Sequence, residues 1–190
     1  MKKMLVWFHP KGYYHNFISD FVMPLGEKLE ADVFAFNAPF AYKSPNDGRE
    51  GFMWYDKDKN GEIIVSEFEK SVEYAVEKIG EEMERRGISF NDVIFAGNSQ
   101  GGFMATYLGL VYGADKMIVL CSYVPEEYEF KQDLHKNVPI YWVEAAKEEV
   151  LSDVQKETYK ILQNMGCNLK YILSEESTHN GLDLSILDEL

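Results

Sequence analysis

Six short apolar runs, separated by longer amphipathic segments, constrain the fold of this 190-residue chain more than any other feature. The runs lie at residues 4–8, 32–37, 92–97, 116–122, 139–144 and 169–173. They are continuous rather than alternating, which is typical of strands that are covered on both faces. Between them, helices are predicted over residues 17–29, 66–86, 100–112 and 152–165. Strands that alternate with helices indicate an α/β fold, with a parallel sheet and helices on both of its faces.

Two of the predicted helices carry start signals. Ser66 with Glu69, and Ser152 with Gln155, have the spacing of capping boxes. The connection over residues 38–65 has no such pattern and is rich in Gly, Pro, Asn and Asp. A connection of that length inside a compact domain is usually functional.

Composition narrows the class of protein and its partners. With 46% hydrophobic residues, the chain has enough apolar surface for one core and one domain over residues 1–190. A formal net charge of −13 disfavours nucleic acid and anionic membrane surfaces as partners. The five apolar residues at 4–8 are too few for a signal peptide or a membrane span, so we expect a cytoplasmic protein. Cys121 and Cys167 are expected to be buried thiols rather than parts of a disulfide framework, and a homodimer is left open.

Residues 95–102 read FAGNSQGG, a glycine-rich corner between the third apolar run and the helix expected from Gln100. Ligands of parallel sheets sit beyond the carboxyl ends of the strands, where Ser99 falls. A sharp strand-to-helix turn at Ser99 requires small residues two positions away on either side, here Gly97 and Gly101. This G-x-S-x-G pattern predicts a nucleophile elbow. The alternative is a turn in which the serine only caps the helix.

A serine hydroxyl is a weak nucleophile, so it needs a base, and the base needs an acid to orient it. Behind an elbow of this kind, the acid and then the histidine follow the serine along the chain. Of the four histidines, only His179 lies after the last apolar run, which predicts it as the base. The acid is expected in the loop after the fifth run, where Glu148, Glu149 and Asp153 are the candidates. Asp153 is less well placed, because the helix dipole alone favours a carboxylate in the first turn of a helix.

Together these features resemble the phospholipase/carboxylesterase family of α/β-hydrolases, which includes acyl-protein thioesterases. The family's G-F-S-Q-G-G elbow is similar to residues 97–102, and its Ser-Gly-x-x-Pro segment resembles residues 122–125. Its Trp-Phe-Asp resembles residues 54–56, and its histidine near the C-terminus matches His179. The resemblance covers nearly the whole chain. It implies a single α/β-hydrolase domain over residues 1–190, with a minimal six-stranded parallel sheet in the order 2-1-3-4-5-6.

The first departure from the family lies after the first strand. Residues 9–12 read HPKG where the family has His-Gly-x-Gly, and Pro10 has no N–H to donate. The resemblance implies that one oxyanion donor is the backbone N–H of the next residue, Lys11. The second would be the backbone N–H of Gln100, directly after the nucleophile.

The second departure concerns the acid. Residues 144–148 read EAAKE where the family has His-Gly-x-x-Asp. This register favours Glu148 as the acid, one methylene longer than aspartate. Glutamate does serve in such triads.

Residues 56–67 fit the calcium-loop pattern D-x-[DN]-x-[DN]-G-x5-E. The incoming helix of that motif is missing, because residues 45–55 are full of turn formers. A tight Asp/Asn/Gly turn followed by a helix start is therefore favoured, and no metal is predicted. The neighbouring Trp54 and Tyr55 are expected either to form a wall of the substrate pocket or to be core aromatics.

The resemblance implies a serine esterase that cleaves carboxylic esters or thioesters through an acyl-enzyme and needs no cofactor. Residues 126–137 are too few and too charged for a large lid, which favours small soluble substrates. Departures at the oxyanion loop and the acid support an alternative, a catalytically inactive binding protein on the same fold. A flavodoxin-like nucleotide binder shares the sheet, but the sequence shows no phosphate loop.

Overall fold

A computed structural model describes residues 2–17, 19–125, 128–130, 133–148 and 152–190. In chain order the strands are β1 (Lys3–Phe8), β2 (Ala31–Ala35), β3 (Phe40–Lys43), β4 (Glu50–Met53), β5 (Val93–Asn98), β6 (Lys116–Leu120), β7 (Ile140–Lys147) and β8 (Leu169–Thr178). The helices are α1 (Ser19–Lys28), α2 (Val65–Arg86), α3 (Gln100–Tyr112) and α4 (Ser152–Asn164), with 3₁₀ turns at Phe90–Asp92 and Leu184–Glu189.

The main sheet has six parallel strands in the order β2-β1-β5-β6-β7-β8. Numbered along this sheet alone, the order is 2-1-3-4-5-6. The predicted α/β class and strand order are confirmed. Strands β3 and β4 stand apart as an antiparallel pair.

Successive side chains of each central strand pack on opposite faces of the main sheet. In β1, Met4, Val6 and Phe8 belong to one core cluster and Leu5 and Trp7 to the other, all with no exposed surface. Helices α2 and α3 contribute to the first cluster, and α1 to the second. Burial on both sides explains why the apolar runs are continuous.

Helix α3 lies in the centre of the first core cluster. Every residue from 100 to 110 is buried, as expected for a helix that is apolar all round. The helix therefore cannot shift without disturbing the core, and it fixes the position of the residue that precedes it, Ser99.

The connection over residues 38–65 contains the β3–β4 hairpin, which the sequence did not predict. The capping box predicted for Ser66 and Glu69 is wrong, because Ile64 is the N-cap of α2. The Glu67 carboxylate instead accepts a hydrogen bond from the Asp56 N–H at 2.8 Å, which ties the preceding turn to the start of the helix. The Ser152 side chain, part of the second predicted capping box, lies outside what the structure describes.

Cys121 and Cys167 are free thiols, as predicted, but only Cys121 is buried and Cys167 is partly exposed. Among the described residues, no helix has the combination of length and apolar character needed to cross a bilayer.

Candidate active site

The turn between β5 and α3 has the geometry of a nucleophile elbow. Ser99 adopts φ 53° and ψ −120°, a conformation that is costly for a residue with a side chain. A Cβ on Gly97 would lie 2.2 Å from the carbonyl oxygen of Gly101, and a Cβ on Gly101 would lie 2.0 Å from that of Phe8. Only glycine fits at either position. The backbone thus allows α3 to approach β1 and β5 closely while the serine is presented at the end of the strand.

Ser99, His179 and Glu148 are brought together across three segments of the chain. Ser99 Oγ lies 3.2 Å from Nε2 of His179, and Nδ1 of His179 lies 2.8 Å from Oε2 of Glu148. With Nδ1–H donated to the carboxylate, the Nε2 lone pair is free to accept the serine proton. The histidine side chain is 14% exposed and that of Glu148 only 3%, so the carboxylate is shielded from water.

The other candidate acids lie elsewhere. Asp153 is exposed in the first turn of α4. Glu149 lies outside the described residues. The structure therefore pairs Glu148 with His179.

The Glu148 carboxylate is contacted by a side chain that the sequence did not indicate. Gln155 of α4 donates from Nε2 to Oε2 of Glu148 at 3.2 Å. The thiol of Cys121, directly after β6, lies close enough to feel the Glu148 charge. Burial, together with the Glu148 charge, raises the pKa of this thiol to about 12, so it remains a neutral S–H.

The backbone at His179 is also held by a residue of the nucleophile elbow. Asn98, directly before the nucleophile, donates from Nδ2 to the carbonyl oxygen of His179 at 3.0 Å. The Cys121 thiol lies 4.0 Å from the carbonyl oxygen of Thr178. A polar residue at the buried end of a strand was the only sequence signal for Asn98.

The predicted oxyanion donors lie on the turn after β1 and at the start of α3. Gln100 is the first residue of α3, so its N–H has no acceptor within the helix. The turn that carries Lys11 is held by the hairpin, since the Gly12 N–H donates to the Phe52 carbonyl at 2.8 Å and the Phe52 N–H to that of Tyr13 at 3.1 Å.

The side chain of Lys11 points to a partner other than the nucleophile. Its Nζ lies 2.6 Å from Oδ1 of Asp56 and 4.8 Å from the centre of the Tyr42 ring. Partial burial works against the charge of Asp56, but the hydrogen bond from Lys11 lowers the pKa of this carboxyl below its ordinary value. The lysine side chain thus anchors the turn, and the prediction of an oxyanion donor concerns its backbone N–H alone.

His9, at the end of β1, is buried and neutral. Its Nδ1 lies 2.8 Å from the carbonyl oxygen of Pro10, and its Nε2 accepts from the Ala38 N–H at 2.9 Å. Burial lowers the pKa of His9 from 6.5 to about 4. The ring connects the turn before Lys11 to the chain after β2.

Trp54 and Tyr55 do not form a wall of an open pocket, because neither side chain has exposed surface. This corrects the prediction of substrate contact in favour of its alternative, core aromatics. Trp54 Nε1 donates to the His9 carbonyl at 2.8 Å. The Gln100 side chain pins both residues, accepting from the Trp54 N–H at 3.2 Å and donating to the Tyr55 carbonyl at 2.7 Å. Trp54 and Tyr55 thus connect the turn after β1 to the start of α3.

The calcium-like segment forms a tight turn. Asp58 Oδ1 accepts from the N–H groups of Asn60 and Glu62 at 2.8 and 3.1 Å. The Asp56 carboxylate pairs with Lys11, and the Glu67 carboxylate accepts from the Asp56 N–H. Within the part of the chain that the structure describes, no three His, Cys, Asp or Glu side chains are grouped to hold a metal ion.

Comparisons with known proteins identify the family and the fold of the chain. The sequence model of the family described as Phospholipase/Carboxylesterase matches residues 2–181. A search of curated protein sequences finds no significant match.

Among solved structures, Arabidopsis thaliana SOBER1 is similar with a TM-score of 0.77 and 20% identity, over 100% of this chain and 95% of its own. The Bacillus cereus carboxylesterase has a TM-score of 0.75 and 16% identity, over 99% of this chain and 85% of its own. A carboxylesterase from Mesorhizobium loti has a TM-score of 0.75 and 14% identity, over 100% of this chain and 88% of its own. At these identities, the likeness shows the fold.

Proposed function

The chain belongs to the phospholipase/carboxylesterase family, and from this premise we propose that it is a serine hydrolase of carboxylic esters or thioesters. The observation that carries the proposal is the hydrogen-bonded chain from Ser99 Oγ through His179 to Glu148, with distances of 3.2 and 2.8 Å. It starts at a strained elbow, which is where such hydrolases place their nucleophile.

In the first step, Ser99 Oγ attacks the carbonyl carbon of the substrate while Nε2 of His179 takes the hydroxyl proton. The imidazolium that forms keeps its Nδ1–H on Glu148. Because Glu148 is buried, its negative charge stabilises the imidazolium with little screening by water. The carboxylate itself stays ionised throughout.

The tetrahedral intermediate carries its negative charge on the former carbonyl oxygen. The backbone N–H groups of Lys11 and Gln100 are proposed to bind this oxygen. The salt bridge to Asp56 and the hairpin contacts hold the Lys11 turn, while α3 holds Gln100. Donors fixed before the reaction need no reorganisation when the charge develops.

Collapse of the intermediate breaks the bond to the alcohol or thiol, which takes the proton from Nε2 of His179. Water then attacks the acyl-Ser99 ester, with His179 again acting as base. Release of the carboxylic acid regenerates the serine hydroxyl. The serine, histidine and glutamate, with two backbone donors, account for each proton and bond in this cycle.

The substrates are proposed to be small and soluble. Residues 126, 127, 131 and 132 of the segment considered as a lid lie outside the described residues, so this proposal rests on the shortness and charge of the segment. A cytoplasmic location and a possible homodimer also remain predictions from the sequence.

The proposal is tested by hydrolysis of p-nitrophenyl acetate, butyrate and octanoate, and of butyrylthiocholine as a thioester. With any of these esters whose acyl-enzyme breaks down more slowly than it forms, we expect a burst of p-nitrophenol close to one equivalent of protein. Ser99→Ala should reduce the rate to that of buffer. The matched control is Ser89→Ala, before the 3₁₀ turn that leads into the opposite end of β5, and it should retain activity.

Equal rates for wild type and Ser99→Ala would contradict the proposal. A folded wild-type protein that hydrolyses none of these substrates would instead favour the inactive binding protein.

A further inference from the structure

One narrow face of helix α4 is buried, and it carries both polar and apolar side chains. Gln155, Thr158 and Leu162 are buried, with 1%, 1% and 0% exposure, and their spacing of three and four residues places them on one side of the helix. Leu162 packs in the first core cluster, and Thr158 Oγ1 accepts from the Val124 N–H at 3.1 Å. The packing of Leu162 in the core fixes the rotation of the helix and with it the direction in which Gln155 points.

Gln155 points to the acid of the triad. Its Nε2 lies 3.2 Å from Oε2 of Glu148, the same oxygen that lies 2.8 Å from Nδ1 of His179. One carboxylate oxygen thus receives two N–H donors from different elements, α4 and the loop after β8. Two donors on one oxygen fix both the position and the orientation of the carboxylate relative to the imidazole.

A glutamate needs such a contact more than an aspartate does. Its side chain has one more rotatable bond, and hence more rotamers to restrict when it is buried. The Gln155 amide is uncharged, so it can restrict the carboxylate without neutralising it. A lysine or arginine at this position would compete with the imidazolium for the negative charge.

The geometry points to Gln155 as a positioning residue that acts on the reaction only through Glu148. This inference rests on the proposed function, because it assigns a role within the same triad. Gln155 itself does not contact the reacting atoms. Its loss should slow activation of Ser99 and leave substrate binding unaffected.

The experiment measures the second-order rate constant of Ser99 labelling by a fluorophosphonate, in which the serine oxygen displaces fluoride from phosphorus. This readout needs no knowledge of the natural substrate. Gln155→Leu should label about tenfold more slowly than wild type, as expected for a lost hydrogen bond to a charged group. Glu148→Ala should label more slowly still, by about a hundredfold or more. Adding Gln155→Leu to Glu148→Ala should change the rate by less than about twofold, because no carboxylate remains to be positioned.

Thr158→Val is the matched control, since it removes a buried hydrogen bond from the same helix face without touching Glu148. It should label within about twofold of wild type even if it lowers the thermal midpoint. With a p-nitrophenyl ester that the wild type hydrolyses, Gln155→Leu should lower kcat and leave KM unchanged.

Two outcomes overturn the inference while the proposed function stands. One is a Gln155→Leu rate within twofold of wild type. The other is an equal fold-loss in the presence and absence of Glu148, which would show that the glutamine supports the fold rather than the acid. Failure of the wild type to label at all would instead remove the proposed function, and the inference with it.

Discussion

Ser99 and Glu148 stand at the two ends of one hydrogen-bonded chain, and the protein holds them by different means. On the nucleophile side the constraint is backbone against backbone, since a Cβ on Gly101 would lie 2.0 Å from the Phe8 carbonyl oxygen. On the acid side the constraint is side chain on side chain, with Gln155 3.2 Å from the carboxylate.

The difference predicts two patterns of response to mutation. Backbone contacts without room for one carbon atom cannot relax, so a single change there should damage the fold. Hydrogen bonds between side chains can lengthen or be replaced, so changes there should alter rate in graded steps while the protein stays folded. The predictions below run from the largest expected effect to the smallest.

Gly101→Ala should disrupt the packing of α3 against β1 on the nucleophile side. Because Phe8 is part of a buried central strand, the new methyl group can be accommodated only by moving α3 away from β1. We expect a loss of more than about 3 kcal/mol in the free energy of unfolding, measured in urea. The control is Gly80→Ala in α2, where a Cβ meets nothing within 4 Å and should stabilise by about 0.5–1 kcal/mol. Similar stabilities for the two variants would show that the close approach of α3 to β1 is not required.

Lowering the pH should reduce the free energy of unfolding through His9, which lies on the nucleophile side. The pKa of His9 is about 4 in the folded protein and 6.5 without burial, so the unfolded chain takes up the proton first as the pH falls. The stabilisation is therefore complete above pH 6.5 and is lost toward pH 4, by about 3 kcal/mol in total.

The measurement is the free energy of unfolding between pH 7 and pH 4. His9→Gln, whose amide oxygen can still accept from the Ala38 N–H but does not titrate, should lose about 3 kcal/mol less over this range. Identical pH profiles for the two proteins would mean that His9 is not the group responsible.

Glu148→Asp should sharpen the contrast on the acid side. The shorter side chain draws the carboxylate back by about 1.5 Å, one carbon–carbon bond, from His179 and Gln155. We expect fluorophosphonate labelling to slow by about tenfold with little change in the urea midpoint. A large loss of stability would contradict the view that this side is held by adaptable contacts.

Asp56→Asn should have the smallest effect. It removes the charge partner of Lys11, on the turn that carries a proposed oxyanion donor. Because both side chains are partly exposed, the free energy of unfolding should fall by about 0–1 kcal/mol. The backbone N–H of Lys11 remains held by the hairpin, so labelling should slow by no more than about threefold. If Asp56→Asn slowed labelling nearly as much as Glu148→Asp does, the salt bridge rather than the hairpin would position the turn that carries Lys11.

The contrast between the two sides also explains what could be predicted from the sequence. The elbow is a local pattern, in which the spacing of Gly97, Ser99 and Gly101 carries the whole geometry. The continuous apolar runs indicated the α/β class in the same local way, whereas the strand order followed from the family resemblance alone. His179 followed from chain order, and Glu148 from the register of the resemblance.

The supports of the acid side could not be read in this way. The sequence places Gln155 at a helix start, but its contact with Glu148 depends on the rotation of α4, which is set by the distant core. The position of the Cys121 thiol near the Thr178 carbonyl depends on where β6 ends relative to its neighbours in the sheet. The β3–β4 hairpin was missed because its strands are four residues each, and because docking onto the β1 turn rather than an apolar pattern defines them.

The burial of Trp54 and Tyr55 shows the opposite limitation of a motif. The sequence leaves open whether they line the substrate pocket or lie in the core, because aromatic side chains in a core look the same in sequence as those in a pocket. Only the packing distinguishes the two.

The most direct test of the central claim, an activated serine at the elbow, is to locate the adduct formed with a fluorophosphonate. Intact-mass spectrometry of the wild type should show a single adduct, and peptide mapping should place it on Ser99. Ser99→Ala, folded to the same extent by circular dichroism, should show none. An adduct on another residue, or an equally labelled Ser99→Ala, would contradict the account.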